Sequence, residues 1–143
     1  MRVSELMNCN VVSITPEEPT LLAARLLSRH NIGSLPVCSL DGRLRGMVTD
    51  RDIVLRCVAT ESDPQTTQVR EIMSRGVVSA SPDDDVREAA HKMATEQIRR
   101  LPVINATGSV VGMLSLGDMA KSRAAEMEAA NALSEISVNV KRI

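Results

Sequence analysis

Residues 46–53 read GMVTDRDI and residues 112–119 read GMLSLGDM, so the chain repeats one pattern of Gly-Met-aliphatic-hydroxyl-x-x-Asp-apolar at a distance of 66 positions. Sliding the sequence against itself by that distance aligns residues 3–54 with 69–120 without a gap, and 17 of the 52 aligned pairs are identical. The chain is therefore one supersecondary unit written twice. Each copy is too short to bury its apolar face alone, so we expect the copies to pack on each other.

Each copy predicts the element order β-α-β-β-α. The predicted strands are the aliphatic or β-branched runs 11–14, 35–38, 44–48, 77–80, 101–104 and 110–114. The predicted helices are 20–31, a stripe over 86–93 that follows the acidic run 83–85, 50–59 and 116–133. The sequence thus predicts an α/β (α+β) protein.

We divide the chain into a first unit (1–60), a polar linker (61–68), a second unit (69–122), and a C-terminal helix end and tail (123–143). The last ten residues, SEISVNVKRI, alternate apolar and polar side chains and are predicted to form a short strand or a loose tail.

Composition narrows the function. The formal charge is 17 − 18 = −1 with scattered basic residues, which argues against a nucleic-acid-binding protein. No apolar run approaches the roughly 20 residues that span a bilayer, and the start lacks a secretory signal, so we expect a soluble cytoplasmic protein.

Cys38 with His30 would need two further ligands to hold zinc, and we predict no metal site. The chain has no Phe, Tyr or Trp, so a planar ligand must be held by aliphatic groups and backbone.

The repeated hydroxyl and aspartate have two interpretations. Thr49 with Asp52, and Ser115 with Asp118, stand where a strand passes into a helix and can form capping boxes. The same carboxylates can instead accept hydrogen bonds from the hydroxyls of a ribose, with the helix N-terminus favouring a phosphate. Gly46 and Gly112 would then let a ligand approach the strand backbone closely.

The doubled β-α-β-β-α unit with LPV (35–37 and 101–103), DG followed by GM, and Gly-x-x-(Thr/Ser)-x-x-Asp resembles a CBS-domain pair, or Bateman module. The resemblance covers about residues 3–120, with no other domain attached, as in stand-alone bacterial CBS-domain proteins. It implies two tandem units packed with pseudo-twofold symmetry into one disc-like module. It also implies adenosine ligands (AMP, ADP or ATP, with S-adenosylmethionine or NAD as further candidates) in the cleft between the units, and no required cofactor.

The resemblance assigns roles by motif position. It implies ribose binding by Thr49, Asp52, Ser115 and Asp118. It implies phosphate binding by Arg51, Arg99 and Arg100. It implies a base pocket lined by Thr15, Ile32, Gly33, Pro36, Ser81, Ile98 and Pro102. Because the first copy has Gly33-Ser34 where the second has Arg99-Arg100, we expect unequal affinities at the two sites.

These observations favour a non-enzymatic regulatory module. The leucine-rich helix at 20–31, together with the resemblance, predicts a homodimer through helices of the CBS units, and the tail from 121 to 143 is the expected relay to a protein effector. The alternatives are a structural or stress-related dimer with a vestigial pocket, and a Mg-dependent nucleotide hydrolase in which Asp50 and Asp52 hold the metal. No Walker-type loop supports the hydrolase.

Overall fold

The computed structural model describes residues 1–122 and 125–138, and it divides into two compact units. The first-repeat unit is Val12–Val77, and the second-repeat unit joins Met1–Val11 to the chain from Val78 onward. The compact units are therefore offset from the repeats of the sequence, since each unit takes in the first residues of the other copy, 69–77 in one case and 3–11 in the other. The predicted boundaries at 60, 68 and 122 describe the repeat and stay a prediction.

Each unit is built on an antiparallel hairpin, as predicted. In the first-repeat unit, β1 (Ser34–Cys38) pairs with β2 (Leu44–Thr49). In the second-repeat unit, β3 (Arg100–Ile104) pairs with β4 (Val110–Ser115). The turn of each hairpin contains a glycine with positive φ, 87° at Gly42 and 83° at Gly108, a conformation that glycine adopts without a steric cost.

The predicted strands 11–14 and 77–80 are reduced to single parallel bridges, Ile14 with Val37 and Ala80 with Val103. Ile14 donates its N–H to the Pro36 carbonyl at 3.2 Å and accepts the Cys38 N–H at 2.8 Å. The next bond of a parallel ladder would need an N–H at position 36, which proline lacks. The LPV motif therefore shortens the strand that it pairs with.

The helices largely follow the predictions. They are α1 (Val3–Leu6), α2 (Thr20–His30), α3 (Asp50–Ile53, continued by a π-helical turn over Val54–Val58), α4 (Val69–Ile72), α5 (Val86–Glu96), α6 (Leu116–Ala120) and α7 (Glu126–Val138). The helix predicted over 116–133 ends at Ala120, and a new helix begins at Glu126. No helix in the described ranges is long and apolar enough to cross a membrane.

The strand or tail predicted for the end of the chain is wrong for residues 134–138, which belong to α7. Ala125, Ala129, Ala132 and Ile136 are buried at spacings of four, three and four, so the helical stripe outweighs the alternation that the sequence suggested. The part of that prediction that concerns residues 139–143 lies outside the described residues.

The linker between the two sequence copies contacts the start of α2. The N–H groups of Thr20 and Leu21, at the start of α2, donate to the carbonyls of Thr67 and Pro64 at 2.8 and 2.9 Å. These carbonyls satisfy N–H groups that have no partner inside the helix, since no side chain of the described residues caps α2. The polar linker therefore holds the first turn of α2.

Gly46 and Gly112 lie where each hairpin contacts the segment that its unit takes from the other sequence copy, which is 69–77 at Gly46 and 1–11 at Gly112. Met47 and Ser74 exchange two backbone hydrogen bonds, of 3.0 and 2.8 Å, and a Cβ on Gly46 would lie 2.6 Å from the Ser74 carbonyl oxygen. A Cβ on Gly112 would lie 2.6 Å from Met7 Sδ. The protein's own chain fills the space beside both glycines, so the expected approach of a ligand there is wrong.

Candidate functional site

Both repeated motifs form the reciprocal capping box. In the first-repeat unit, Asp52 donates its N–H to Thr49 Oγ1 at 3.0 Å, and the Thr49 N–H donates to Asp52 Oδ2 at 3.0 Å. Ser115 and Asp118 make the same two bonds, each 3.0 Å long. The capping interpretation is thus confirmed, and each box occupies only one of the two carboxylate oxygens. The ribose-binding role stays a prediction that uses the other oxygen.

The loop before each hairpin is tied to the helix that follows it. Asp50 donates its N–H to the Gly33 carbonyl at 3.2 Å, and Ser34 lies opposite Thr49 in the hairpin. These contacts place the predicted base-binding residue Gly33 beside the first capping box. Its neighbour Ile32 is half-buried against the core, so part of its aliphatic surface remains open.

The second-repeat unit has the same arrangement with different side chains. Leu116 donates its N–H to the Arg99 carbonyl at 3.0 Å, and Arg100 lies opposite Ser115. Ile98 is half-buried, as Ile32 is. Two arginines therefore stand beside the second capping box where glycine and serine stand beside the first.

The remaining predicted pocket residues lie further along the strands. Pro36 and Pro102 are buried within β1 and β3, and their carbonyls accept the N–H groups of Ile14 and Ala80. Thr15 follows Ile14, which pairs with Val37 of β1. Thr49 pairs with Ser34, at the other end of the same strand and three residues from Val37. At about 3.3 Å per residue, Thr15 lies roughly 10 Å or more along the strand from Thr49.

Ser81, the counterpart of Thr15, is engaged in its own turn. Its N–H donates to Asp84 Oδ2 at 2.9 Å, and its Oγ accepts the Asp83 N–H at 3.4 Å. The structure thus brings neither Thr15 nor Ser81 to the capping boxes. Val12 and Val78, which sequence reasoning omitted, precede the bridges on the side nearer the boxes and pack on the cores.

The second capping box opens into a cleft of about 520 Å³. One wall consists of Arg99, Arg100, Ser115 and the start of α6, and the other consists of α7 residues Glu126, Ala129, Ala130 and Leu133. The volume is within the usual range of a small-molecule site. Sequence reasoning placed this helix outside the site because α7 has no counterpart in the repeat.

The first capping box is more enclosed. Asp52 is only 8% exposed, and Ser74 donates its hydroxyl toward Asp52 Oδ1 at 3.5 Å, so both carboxylate oxygens have a partner from the protein. The nearby Ser34 hydroxyl is buried and has no hydrogen-bonding partner in the described part of the chain. Arg51 is exposed. Ser34 and Ser74 are additions to the site that the motif alone does not indicate.

Potential metal ligands do not converge within the described ranges, where no three His, Cys, Asp or Glu side chains form a group that could hold an ion. Cys38 is buried, and burial raises the pKa of its thiol, which disfavours the thiolate that metals and electrophiles require.

Comparison with known proteins identifies this architecture. A family model described as the CBS domain matches residues 3–58 and matches again at residues 69–125. The chain belongs to the CBS domain family. It is 40% identical over 135 residues to the CBS domain-containing protein YhcV of Bacillus subtilis, with 94% of both chains covered. The expected tandem pair with an α+β fold is thereby confirmed.

Two solved structures that are similar to this chain contain adenosine-containing ligands. The CBS domain protein PAE2072 from Pyrobaculum aerophilum, complexed with AMP, matches with a TM-score of 0.80 and 30% identity, covering 92% of this chain and 99% of that one. The CBS domain pair of protein MJ0100, in complex with 5′-methylthioadenosine and S-adenosyl-L-methionine, matches with a TM-score of 0.76 and 28% identity, covering 85% and 94%. Members of the family with this fold thus bind adenosine-containing ligands.

Proposed function

We propose that this protein is a non-enzymatic regulatory module that binds an adenosine-containing ligand, with AMP, ADP and ATP as the first candidates and S-adenosylmethionine or NAD as the next. The observation that carries the proposal is the cleft of the second-repeat unit. It is lined by Arg99, Arg100 and Ser115, and Ser115 is bonded to the half-buried Asp118 at the start of α6. A nucleotide offers both a diol for the carboxylate and phosphates for the arginines.

We assign each part of the nucleotide to residues that line this cleft or lie next to its lining in the chain. Asp118 keeps its cap through Oδ2, so Oδ1 accepts a ribose hydroxyl. Arg99 and Arg100 are exposed and supply planar guanidinium groups that bind phosphate in a bidentate manner. Ile98 offers aliphatic surface to the base, as a chain without aromatic residues requires. Binding then favours whichever state of the protein holds the ligand more tightly, which is the origin of a regulatory signal.

The surroundings of the two aspartates differ, and this difference makes the two sites unequal. Asp118 is half-buried beside two arginines, whereas Asp52 is buried and already in contact with Ser74. A ligand at the first box must displace that contact. We therefore propose that the second-repeat unit holds the tighter site.

Calorimetric titration of nucleotide-stripped protein with AMP, ADP and ATP tests the proposal. We expect saturable heat with at least one nucleotide, and we expect the tighter site to bind one nucleotide per chain. Asp118→Asn should weaken that binding by about tenfold or more, because a charged hydrogen bond contributes about 1.5–3 kcal/mol. Asp52→Asn is the matched control and should leave the tighter site unchanged.

The titration can also contradict the proposal. Absence of heat with all three nucleotides, and then with S-adenosylmethionine and NAD, would overturn it. Equal losses in the two variants would reject the inequality of the sites while leaving the ribose role intact. Steady release of phosphate from ATP would instead support the Mg-dependent hydrolase.

A second candidate is a structural or stress-related dimer with a vestigial pocket. The complete capping boxes and the burial of Asp52 favour it, because these features stabilise the helices without any ligand. Val54, Leu55 and Val58 leave an apolar helix face 48–63% exposed on the first-repeat unit. We propose that this face mediates a homodimer, with or without ligand.

Sedimentation velocity at micromolar concentration tests the dimer. We expect the wild-type chain to sediment as a dimer and Leu55→Glu with Val58→Glu to sediment as a monomer. Met127→Glu, an exposed apolar position on α7, is the matched control. A monomeric wild-type protein would remove the dimer from both candidate functions.

A further inference from the structure

A second cleft lies in the first-repeat unit at the turn end of the β1–β2 hairpin, the end away from Thr49. Its volume is about 820 Å³. Arg45 from β2, Arg70 from α4 and Arg75 from the segment after α4 line it, with Leu44 and Met73 providing apolar surface. Neither Thr49 nor Asp52 is among its lining residues, so it is separate from the first capping box.

The three arginines have no partner from the described residues. Within 1–122 and 125–138, no hydrogen bond or ion pair is made by the side chains of Arg45, Arg70 or Arg75. Arg56, by contrast, donates to the carbonyls of Ile72 and Met73 at 3.2 Å each. Three positive groups that repel one another therefore line one cleft without a direct hydrogen bond or ion pair from the described residues.

The second-repeat unit shows that the fold does not require these cations. The segment 1–11 takes the place that 69–77 takes in the first-repeat unit, since Asn8 pairs with Met113 as Ser74 pairs with Met47. At the positions 66 residues away from Arg45, Arg70 and Arg75, the other copy has Val111, Ser4 and Cys9, respectively. The methionine of the cleft, in contrast, is kept in both units, as Met73 and Met7.

Two carboxylates face the same cleft, Glu17 and Asp41. Asp41 is already engaged: it accepts the Ser39 hydroxyl and the Arg43 N–H, and its Oδ2 lies 3.8 Å from Arg43 Nε. These contacts, the Ser39 bond first, hold the pKa of the Asp41 carboxyl below its usual range. Arg45 also contributes, by its charge, to the lowered pKa of Asp41. Three arginines and two carboxylates thus line the cleft, which carries a net positive charge.

We propose that this cleft is a second anion-binding site, one that takes a phosphate-bearing small molecule. Arginine presents donors in a planar fork that matches phosphate oxygens, and arginines from separate segments can hold the group from several sides. Leu44 and Met73 contact the apolar part of the molecule. A cleft of this size accommodates a nucleotide or a sugar phosphate. The site is independent of the proposed nucleotide site.

Titration of ¹⁵N-labelled full-length protein with inorganic pyrophosphate, followed by NMR, tests the site. The Nε–H signals of Arg45, Arg70 and Arg75 should shift together with the Gly42 amide and saturate with a dissociation constant of about 1 mM or below. The Gly108 amide, in the equivalent turn of the other unit, is the internal control and should not shift with that constant.

Variants separate this site from the proposed nucleotide site. Arg45→Gln with Arg75→Gln should weaken the Gly42 response to pyrophosphate by about tenfold. AMP binding at the second-repeat cleft should be unchanged in that variant, whereas Asp118→Asn should leave the Gly42 response unchanged. Arg29→Gln removes an exposed cation from α2 and controls for net charge.

Three outcomes would overturn the inference: no shift at Gly42 up to about 20 mM, well above the affinity expected of a specific site; equal shifts at Gly42 and Gly108; or the same response in the double variant and in Arg29→Gln. Failure of AMP to bind anywhere would leave this site standing and would count only against the proposed function.

Discussion

The two capping boxes have the same bond lengths but different surroundings. In the first-repeat unit, Ser74 contacts the aspartate and buries it, and Gly33-Ser34 provide no charge. In the second-repeat unit, the aspartate is only half-buried, and its capping partner Ser115 lines a cleft with Arg99, Arg100 and α7. The motif fixes the local hydrogen bonds, and the neighbouring segments decide whether a carboxylate oxygen remains free for a ligand.

The segments that complete each unit differ in the same way. Both approach the hairpin at a glycine that faces a methionine and a backbone carbonyl. A Cβ on Gly46 would meet the Ser74 carbonyl first, at 2.6 Å, whereas a Cβ on Gly112 would meet Met7 Sδ first, at 2.6 Å, with the Asn8 carbonyl at 3.3 Å. The nearest obstacle is thus backbone in one copy and a flexible side chain in the other. The following predictions test this contrast.

The largest expected effect is on stability. Gly46→Ala should lower the free energy of unfolding by about 3 kcal/mol, because its Cβ would lie 2.6 Å from the Ser74 carbonyl oxygen and the backbone would have to move. Gly112→Ala is the matched variant and should cost about 1 kcal/mol, since Met7 can rotate away. Urea unfolding measures both. Equal losses would contradict this difference between the two obstacles.

The next effect concerns phosphate. Arg99→Gln with Arg100→Gln should weaken ATP binding by about tenfold or more and leave adenosine binding nearly unchanged, because only ATP carries the charge that the arginines bind. Arg51→Gln, at the exposed arginine of the first box, should have little effect on the tighter site. Calorimetry with ATP and adenosine gives both values. Parallel losses for the two ligands would mean that the arginines shape the cleft and do not bind phosphate.

A smaller effect is expected from α7. Glu126 lines the second-repeat cleft with Arg99 and Arg100, so Glu126→Gln should strengthen ATP binding by about two- to fivefold, the size of an exposed charge interaction. Glu128, on the same helix, lines a different hollow with Asp85 and Arg87, and Glu128→Gln is the control. Titration at low salt measures the effect. A change of equal size in the control would indicate general charge and not the cleft.

The smallest effect concerns acid stability. Asp85 caps α5, and the backbone N–H of Arg87 and then its guanidinium hold the pKa of Asp85 below the usual range. A lowered folded-state pKa stabilises the protein above the unfolded-state value, and the gain is lost as the pH falls through the folded-state value. Asp85→Asn should therefore lower the thermal midpoint slightly at pH 7, and the difference should shrink as the pH falls below the usual Asp pKa of about 3.9. A difference that persisted in acid would be inconsistent with this origin.

Much of the fold could be predicted because the repeat doubles every signal. The hairpins follow from LPV, the turn glycines and the aliphatic runs, and α2 and α5 follow from helical stripes. The strands predicted over 11–14 and 77–80 form only single bridges. A further hydrogen bond in each ladder would need the N–H groups that Pro36 and Pro102 lack, and the valine-rich runs alone do not indicate this. The end of the chain was misread, because alternation and helical spacing overlap over so few residues.

The candidate site was predicted in part. Proximity of Gly33, Thr49 and Asp52, and of Arg99, Ser115 and Asp118, follows from motifs close in sequence. Thr15 and Ser81 were assigned through the resemblance, and the strand register does not bring them to the boxes. Ser34, Ser74 and α7 carry no motif, so only the structure could add them.

The sequence by itself determined the repeated unit, its hairpins and the position of each hydroxyl–aspartate pair, because these depend on local spacing and turn chemistry. The tertiary structure decided which carboxylate is buried, which cleft α7 borders, and where Arg45, Arg70 and Arg75 meet. Those features arise from residues far apart in the chain, and their contacts are set by packing, which no local pattern encodes.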